Sequence, residues 1–300
     1  MKEAIEATQP DLILLTGDLV YGEFDDNGSS FTKLVEFMEG FGIPWAPVFG
    51  NHENESAMGA DWQCDRFENA QNCLFKQRSL TGNGNYTVGI FQGGVLKRVF
   101  FMLDSNGCGN MSNASFANGH SKKAIGFGTD QIAWYTDVGK KINILSPETK
   151  VSFAFHIPLA MFQQAYIKYG FANDDSFTPI DIDAIENKEA GDFGYLGGKI
   201  SSVCDADYSA YNAMKRIGAD SLFTGHLHEQ SASVIYDGVR FQFGQKSSTY
   251  DQTNYRKEDG SIAFSYTNAG TPIVGGTVMK LTEQTGGIGE AFIYYCKTES

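Results

Sequence analysis

The sequence predicts an α/β fold whose second half adds antiparallel strands, and three observations carry that prediction. Short apolar runs alternate with helix-period segments along the first two thirds of the chain. Four of those runs lead directly into Asp18, Asn51-His52, His156 or His226. Beyond residue 231 every segment reads as a strand. With no internal repeat and no linker, residues 1–300 are expected to form a single domain, 231–300 being its C-terminal β-rich part.

Taken in order, Lys2–Thr8 reads as a short helix closed by Pro10. Asp11–Leu15 is an apolar run, the pattern of a strand buried on both faces. "SSFTKLVEFMEGFG" has helical spacing, a serine at its start and glycines at its end, and "IPWAPVFG" is a second strand. Strand, helix, strand in that order implies a parallel pair with a right-handed crossover. A short helix is expected around Asp65–Phe75, and "NYTVGIFQGGVLKRVFFMLDSNG" gives two strands joined at Gly93-Gly94. Asn106–Thr129, rich in Gly, Asn and Ser, reads as a surface loop. A helix over Asp130–Ile144 and a strand over Val151–Phe155 follow, and residues 170–203 read as a long loop. "DADYSAYNAMKRIG" is a helix and "DSLFTGHLH" a strand. "ASVIYDGVRFQFG" is a hairpin turning at Asp237-Gly238, before "SIAFSY", "GGTVMKL" and "EAFIYYC".

Composition narrows the function. A net charge of −13 argues against a nucleic-acid groove or an anionic membrane surface as the main partner. No apolar run approaches the ~20 residues of a membrane span, and the opening residues do not form a signal peptide. The five cysteines form no CxxC pattern; a Cys64–Cys73 bridge and free thiols are both open.

Four of the five histidines, His52, His156, His226 and His228, directly follow strand-like runs. Ligands of open α/β sheets bind beyond the carboxyl ends of the strands, where these side chains would meet Asp18 and Asn51. Singly, each has a plainer reading: Asp18 closing a turn, "GNHE" supplying turn conformations, His156 as a satisfied polar group. As a set they point to a metal centre. Imidazole, carboxylate and amide donors without thiolate suit Zn, Mn or Fe. Two such ions ~3.5–4 Å apart clamp the attacking and leaving oxygens of a displacement at phosphorus.

"GDLVY", "GNHE", the single His156 and "GHLH" resemble the ordered motifs of the calcineurin-like metallophosphoesterases, over roughly residues 3–245. "FHIPL" and the β-rich tail are similar to the purple-acid-phosphatase-like branch. The resemblance implies a four-layer α/β/β/α sandwich with two divalent or trivalent metal ions on one edge. In it Asp18 bridges the metals, Asn51, His156 and His226 complete one of them, and His228 belongs to the other. His52 hydrogen-bonds phosphate, with Asn51 beside it, and protonates the leaving oxygen.

Two departures stand out. The family opens with a strand carrying Asp-x-His, expected before the helix at Lys2–Thr8, and this chain starts inside that helix. The metal served by His228 then lacks two ligands and the sheet its first strand. A shortened gene product is the favoured explanation, since every downstream motif is present, and export is slightly favoured if a leading segment is missing. The second departure is Tyr21, where many relatives are acidic and purple acid phosphatases have a metal-binding tyrosine; a ligand to ferric ion and a rim residue are equally open.

The reading is a metal-dependent phosphoester hydrolase acting on a small phosphoester or phosphorylated molecule, monoesters ahead of diesters. Its pocket walls would be Asn54–Asn83, Asn106–Gly128 and Gly170–Val203, with Trp62, Phe116, Tyr169, Phe193 and Tyr195 more simply read as loop packing. Lys122, Lys123 and Lys199 read as solvated. The alternative is a non-catalytic phosphate- or metal-binding protein with a degenerate site. A metallopeptidase is disfavoured, as no HExxH is present.

Overall fold

Proline or glycine stands at the end of several segments of this chain, as at Pro10, Gly40 and Gly218. The computed structural model describes residues 1–20, 27–53, 56, 58–106, 126–174, 177–200, 203–205, 208–248, 253–265 and 271–297. Helix α1 (Lys2–Thr8) ends at Gln9, in the left-handed region with φ 44° just before Pro10. Strand β1 (Ile13–Leu15) pairs in parallel with β2 (Trp45–Pro47) across α2 (Ser29–Glu39). Phe31, Leu34, Val35 and Met38 form the inward stripe of α2 at helical spacing. Of β1 only Leu15 is fully buried, so that strand is less enclosed than its apolar run suggests.

Helix α3 occupies Gly59–Asn69 rather than Asp65–Phe75. Ala60, Cys64 and Phe67 supply its buried stripe. The chain beyond Asn69 is drawn out beside β2, where Trp45 N donates to Asn72 O (3.0 Å) and Leu74 N to Trp45 O (2.8 Å). Cys64 and Cys73 are free buried thiols, which resolves the cysteine alternatives. Burial pushes the Cys73 thiol up to about 12.

Strands β3 (Tyr86–Gln92) and β4 (Val95–Met102) form the expected hairpin, with positive φ at both Gly93 and Gly94. Helix α4 (Thr129–Leu145) leads to β5 (Lys150–Ala154) and α5 (Met161–Tyr166). The long loop contains a short pair, β6 (Ile180–Asp181) with β7 (Tyr195–Leu196). Helix α6 (Ser209–Arg216) starts where Asp205 accepts from the N–H groups of Ala210 and Tyr211. Strands β8 (Ala219–Thr224), β9 (Ser233–Tyr236) and β10 (Val239–Phe243) follow, the last two turning at Asp237-Gly238 as expected. Strands β11 (Thr253–Arg256), β12 (Ile262–Ser265) and β13 (Thr271–Pro272) make a small antiparallel sheet, and β14 (Gly275–Leu281) pairs with β15 (Ile288–Tyr295). The sequence reading foresaw neither β11 nor β13.

The central sheet has the order β3-β4-β5-β8-β10-β9, parallel at β4–β5, β5–β8 and β8–β10 and antiparallel at both edges. Alternation along β4 and β5 divides the core. Phe101, Leu103, Val151 and Phe153 pack against Tyr135 of α4, Phe162 of α5 and Met214 of α6. Phe100, Met102 and Ala154 face Trp45, Ala46 and Leu15 of the β1–β2 pair, with Phe31 and Phe67 beyond. The layers therefore run helix, sheet, sheet, helix, which is the predicted sandwich. Among the described residues no helix is long and apolar enough to cross a membrane.

The end of the sheet away from the strand carboxyl termini is fixed by one buried cation. Arg98, fully buried, grips Asp220 with two nitrogens (2.7 and 2.9 Å), donates to Gly286 O (2.7 Å) and reaches the Ser152 and Ser221 hydroxyls. It thus joins β4, β5, β8 and the β14–β15 turn. Removing Asp220 would leave a buried charge without its counter-ion. Asp220→Ala is expected to cost about 3 kcal/mol of unfolding free energy. Urea unfolding of variant and wild type checks this; a loss under about 0.5 kcal/mol, the range of ordinary surface changes, would contradict it.

Candidate metal centre

Four strands end on one edge of the sandwich, and glycine makes their convergence possible. Gly17, Gly50 and Gly225 follow β1, β2 and β8, each immediately before a candidate ligand. A β-carbon on Gly17 would stand 2.6 Å from His156 Nδ1, and one on Gly225 2.8 Å from the Thr16 carbonyl oxygen. A β-carbon on Gly50 would strike the Asp18 carboxylate. The backbones approach so closely that no side chain fits between them. Asp18 (φ 52°) and His226 (φ 69°) are held in the left-handed region, a conformation costing of order 1–3 kcal/mol each and concentrated at functional sites.

The donor atoms meet within hydrogen-bond range. His156 Nε2 lies 2.9 Å from Asp18 Oδ2, 3.1 Å from Asn51 Oδ1 and 3.2 Å from His226 Nδ1. The other ring nitrogen, Nδ1, is 2.7 Å from the Thr16 carbonyl, an acceptor only, so it carries the proton and Nε2 presents its lone pair to the others. An outer hydrogen bond of that kind orients an imidazole for a cation. His156 and Asn51 are buried, at 1% and 5% exposure. Among the described residues, Asp18, His156 and His226 form a group able to hold a metal ion. The convergence of four electron-pair donors is itself the test of fit, because only a proton or a cation can relieve their mutual repulsion.

The electrostatics agree. Burial disfavours charge on His156, but the Asp18 carboxylate and the bonds to Asp18 and Thr16 prevail, so its pKa is raised. Burial acts against Asp18 too, yet the neighbouring His156 and His52 hold it well below the usual carboxylate range. His226 is pushed down to about 3, by burial first and then by His156, so its ring is neutral at any ordinary pH.

The other candidates fall around this cluster. His52 donates its backbone N–H to Asp18 Oδ1 (3.0 Å) and its side chain is half-buried. His228, two residues past His226, is half-buried and lies outside the close group, though its charge acts on His226. Tyr21, Phe116, Lys122 and Lys123 lie outside the described residues. Among the wall aromatics, Tyr195 is buried with its hydroxyl on Gln245 Oε1 (2.9 Å), and Tyr169 donates to Asp192 Oδ2 (2.8 Å). Trp62 packs against Phe31 with Arg66 over its ring. Sequence reading passed over two residues: Thr16, which acts through its carbonyl and leaves no side-chain signal, and Glu53. The Glu53 carboxyl is fully buried and accepts backbone N–H groups from both adjoining loops. Burial first, and the Asp18 charge second, raise it to about 7.

Two outcomes are expected. Gly50→Ala, which forces a methyl group onto Asp18, should weaken Mn²⁺ or Zn²⁺ binding at least about tenfold in calorimetric titration, the scale of a disturbed supporting group; unchanged affinity would show that the loops have room. Ligation requires neutral His156, whose pKa is raised in the metal-free chain. Apparent affinity should therefore climb with pH through that raised value and level off above it, with proton release on the acidic side, measured in buffers of different ionisation enthalpy.

Comparison with known proteins agrees with this geometry. "Probable inactive purple acid phosphatase 14" of Arabidopsis thaliana is 29% identical over 157 residues, covering 47% of this chain and 37% of that protein. "Probable inactive purple acid phosphatase 29" of the same plant is 26% identical over 185 residues, 54% of this chain and 45% of its own length. "Probable inactive purple acid phosphatase 28" is 39% identical over 59 residues, 19% of this chain and 15% of that protein. These matches span less than half the length of each relative. A single family model extends from Met1 through the last histidine motif, residues 1–230, and so takes in all four strand ends that carry the candidate ligands; by that match the chain belongs to the calcineurin-like phosphoesterase family.

Proposed function

We propose that this chain is a metal-dependent phosphoester hydrolase that favours monoesters over diesters. The observation that supports it is the meeting of Asp18 Oδ2, Asn51 Oδ1, His156 Nε2 and His226 Nδ1 at 2.9–3.2 Å around His156 Nε2. Those four residues would hold one Fe, Mn or Zn ion, and His228 with a shared Asp18 would serve a second. Bound there, the cations would supply charge that polarises a phosphoryl oxygen and lowers the pKa of water.

The chain's own residues would do the rest. Asp18 would keep its negative charge throughout, since its pKa is held low. Thr16 and Asn51 would hold His156 in one orientation. His52, its backbone pinned to Asp18, would hydrogen-bond the phosphoryl group together with Asn51 and give a proton to the departing oxygen.

A second reading has its own support: relatives of this chain carry the word inactive in their names. On that reading the protein binds phosphate through its cation and turns nothing over.

Metal content by elemental analysis, with aryl-phosphate hydrolysis on the same sample, separates the two. The hydrolase reading expects turnover in the wild type, loss of both metal and turnover in His226→Ala, and a fall in kcat of about 10²–10⁴ in His52→Ala with metal retained. Metal and phosphate binding without turnover would establish the second reading. No metal in the wild type would overturn both.

A further inference from the structure

We propose that Glu53 is a positioning residue for this cation site, fixing the Asp18 carboxylate that the site uses; the inference rests on the metal-site reading above. Glu53 follows His52 in the turn after β2 and is fully buried. One carboxylate oxygen accepts from Asp18 N (3.1 Å) and Gly50 N (2.5 Å), the other from Leu19 N and, more distantly, Val20 N (3.4 Å). A buried carboxylate ordinarily faces a cationic side chain. Among the described residues no lysine or arginine pairs with Glu53; a nest of four peptide N–H groups takes that place.

Those four donors are chosen by geometry. They include the peptide of the left-handed Asp18 itself, the two that follow it, and Gly50, against which the Asp18 side chain packs. Glu53 is held in turn by Gln63, whose Nε2 donates to its carbonyl oxygen (2.7 Å). The carboxylate therefore clamps the Gly17–Val20 turn to the Gly50–Glu53 turn. With that clamp set, Asp18 Oδ1 faces His52 N and Oδ2 faces His156 Nε2. A glutamine at 53 would turn an amide donor toward peptide donors and release the turn.

The test is calorimetric titration of metal-free wild type, Glu53→Gln and Glu53→Asp with Mn²⁺ alone, beside hydrogen–deuterium exchange at the amides of Asp18, Leu19, Val20 and Gly50. Glu53→Gln should bind Mn²⁺ about 10–100-fold more weakly, the usual effect of losing a group that supports a ligand, with faster exchange at all four amides. Glu53→Asp, which keeps the charge, should recover part of the affinity. If Glu53→Gln exchanges faster but binds Mn²⁺ as the wild type does, the carboxylate only supports the fold and the proposal falls. Should Glu53→Gln fail to fold, Gln63→Leu loosens the same clamp with the carboxylate intact. A smaller loss of affinity in the same direction supports the proposal, and unchanged affinity with faster exchange overturns it. Wild type that binds no Mn²⁺, Zn²⁺ or Fe would instead sink the metal-site reading, while the exchange data would still report the clamp.

Discussion

The hydrogen bond from His156 Nδ1 to the Thr16 carbonyl is the interaction on which the rest of this edge depends. Thr16 follows β1 in the two-stranded sheet and His156 follows β5 in the six-stranded sheet, so a single 2.7 Å contact ties the two sheets where their strands end. It also settles the chemistry. With the Nδ1 proton committed to a carbonyl, the neutral ring presents its Nε2 lone pair to Asp18, Asn51 and His226. Two of the three close-approach glycines exist to permit it: a side chain on Gly17 would collide with Nδ1, and one on Gly225 with the carbonyl. Gly17 and Gly225 are thus the clearance that one inter-sheet bond requires, while Gly50 makes room for the Asp18 carboxylate.

The two ends of the sandwich are held by opposite means. At one, Arg98 brings a buried positive charge to Asp220, the Ser152 and Ser221 hydroxyls and the Gly286 carbonyl. At the other, the buried carboxyl of Glu53 gathers peptide N–H groups from two turns. Between them lie two aromatic layers, with Phe101 stacked on Phe153 on one face of the central sheet and Phe31, Phe67 and Phe75 packed together on the other. Each buried phenylalanine contributes about 1.5–3 kcal/mol. That packing supplies the free energy to hold Asp18 and His226 in left-handed conformations they would otherwise leave.

How much was legible in the sequence follows from where the information resides. Hairpins announced themselves because Gly93-Gly94 and Asp237-Gly238 answer a local demand for positive φ. The cluster of Asp18, Asn51, His156 and His226 was legible because a strand's end is a fixed place and four apolar runs pointed there. Helix α3 was misplaced since the segment 72–74 is taken by β2 instead, Cys73 lying opposite Trp45, a partner nearly thirty residues upstream. Strand β13 depends on a pairing of Tyr255 with Pro272 that no short window contains, and β11 takes its place by pairing with β12 on one side and β13 on the other. Thr16 works through its backbone, which every residue has. Glu53 was passed over because a glutamate is expected in solvent, and nothing local says that four peptide groups will surround it.

The word inactive in the names of the Arabidopsis relatives raises the question of which residue would distinguish binding from turnover here. A protein that only bound phosphate through a cation would still need Asp18, Asn51, His156 and His226, and hence the glycines and Thr16 that place them. It would need the His52 position too, because the backbone N–H there steadies Asp18. That contact asks nothing of an imidazole, since any residue but proline carries the same N–H. The His52 ring does more: it helps hold Asp18 ionised. A hydrogen bond from it would serve bound phosphate on either reading, and only the hydrolase reading would have it give a proton to a departing oxygen. The two readings therefore part at that proton transfer, since binding phosphate and steadying Asp18 use the ring as much as turnover would.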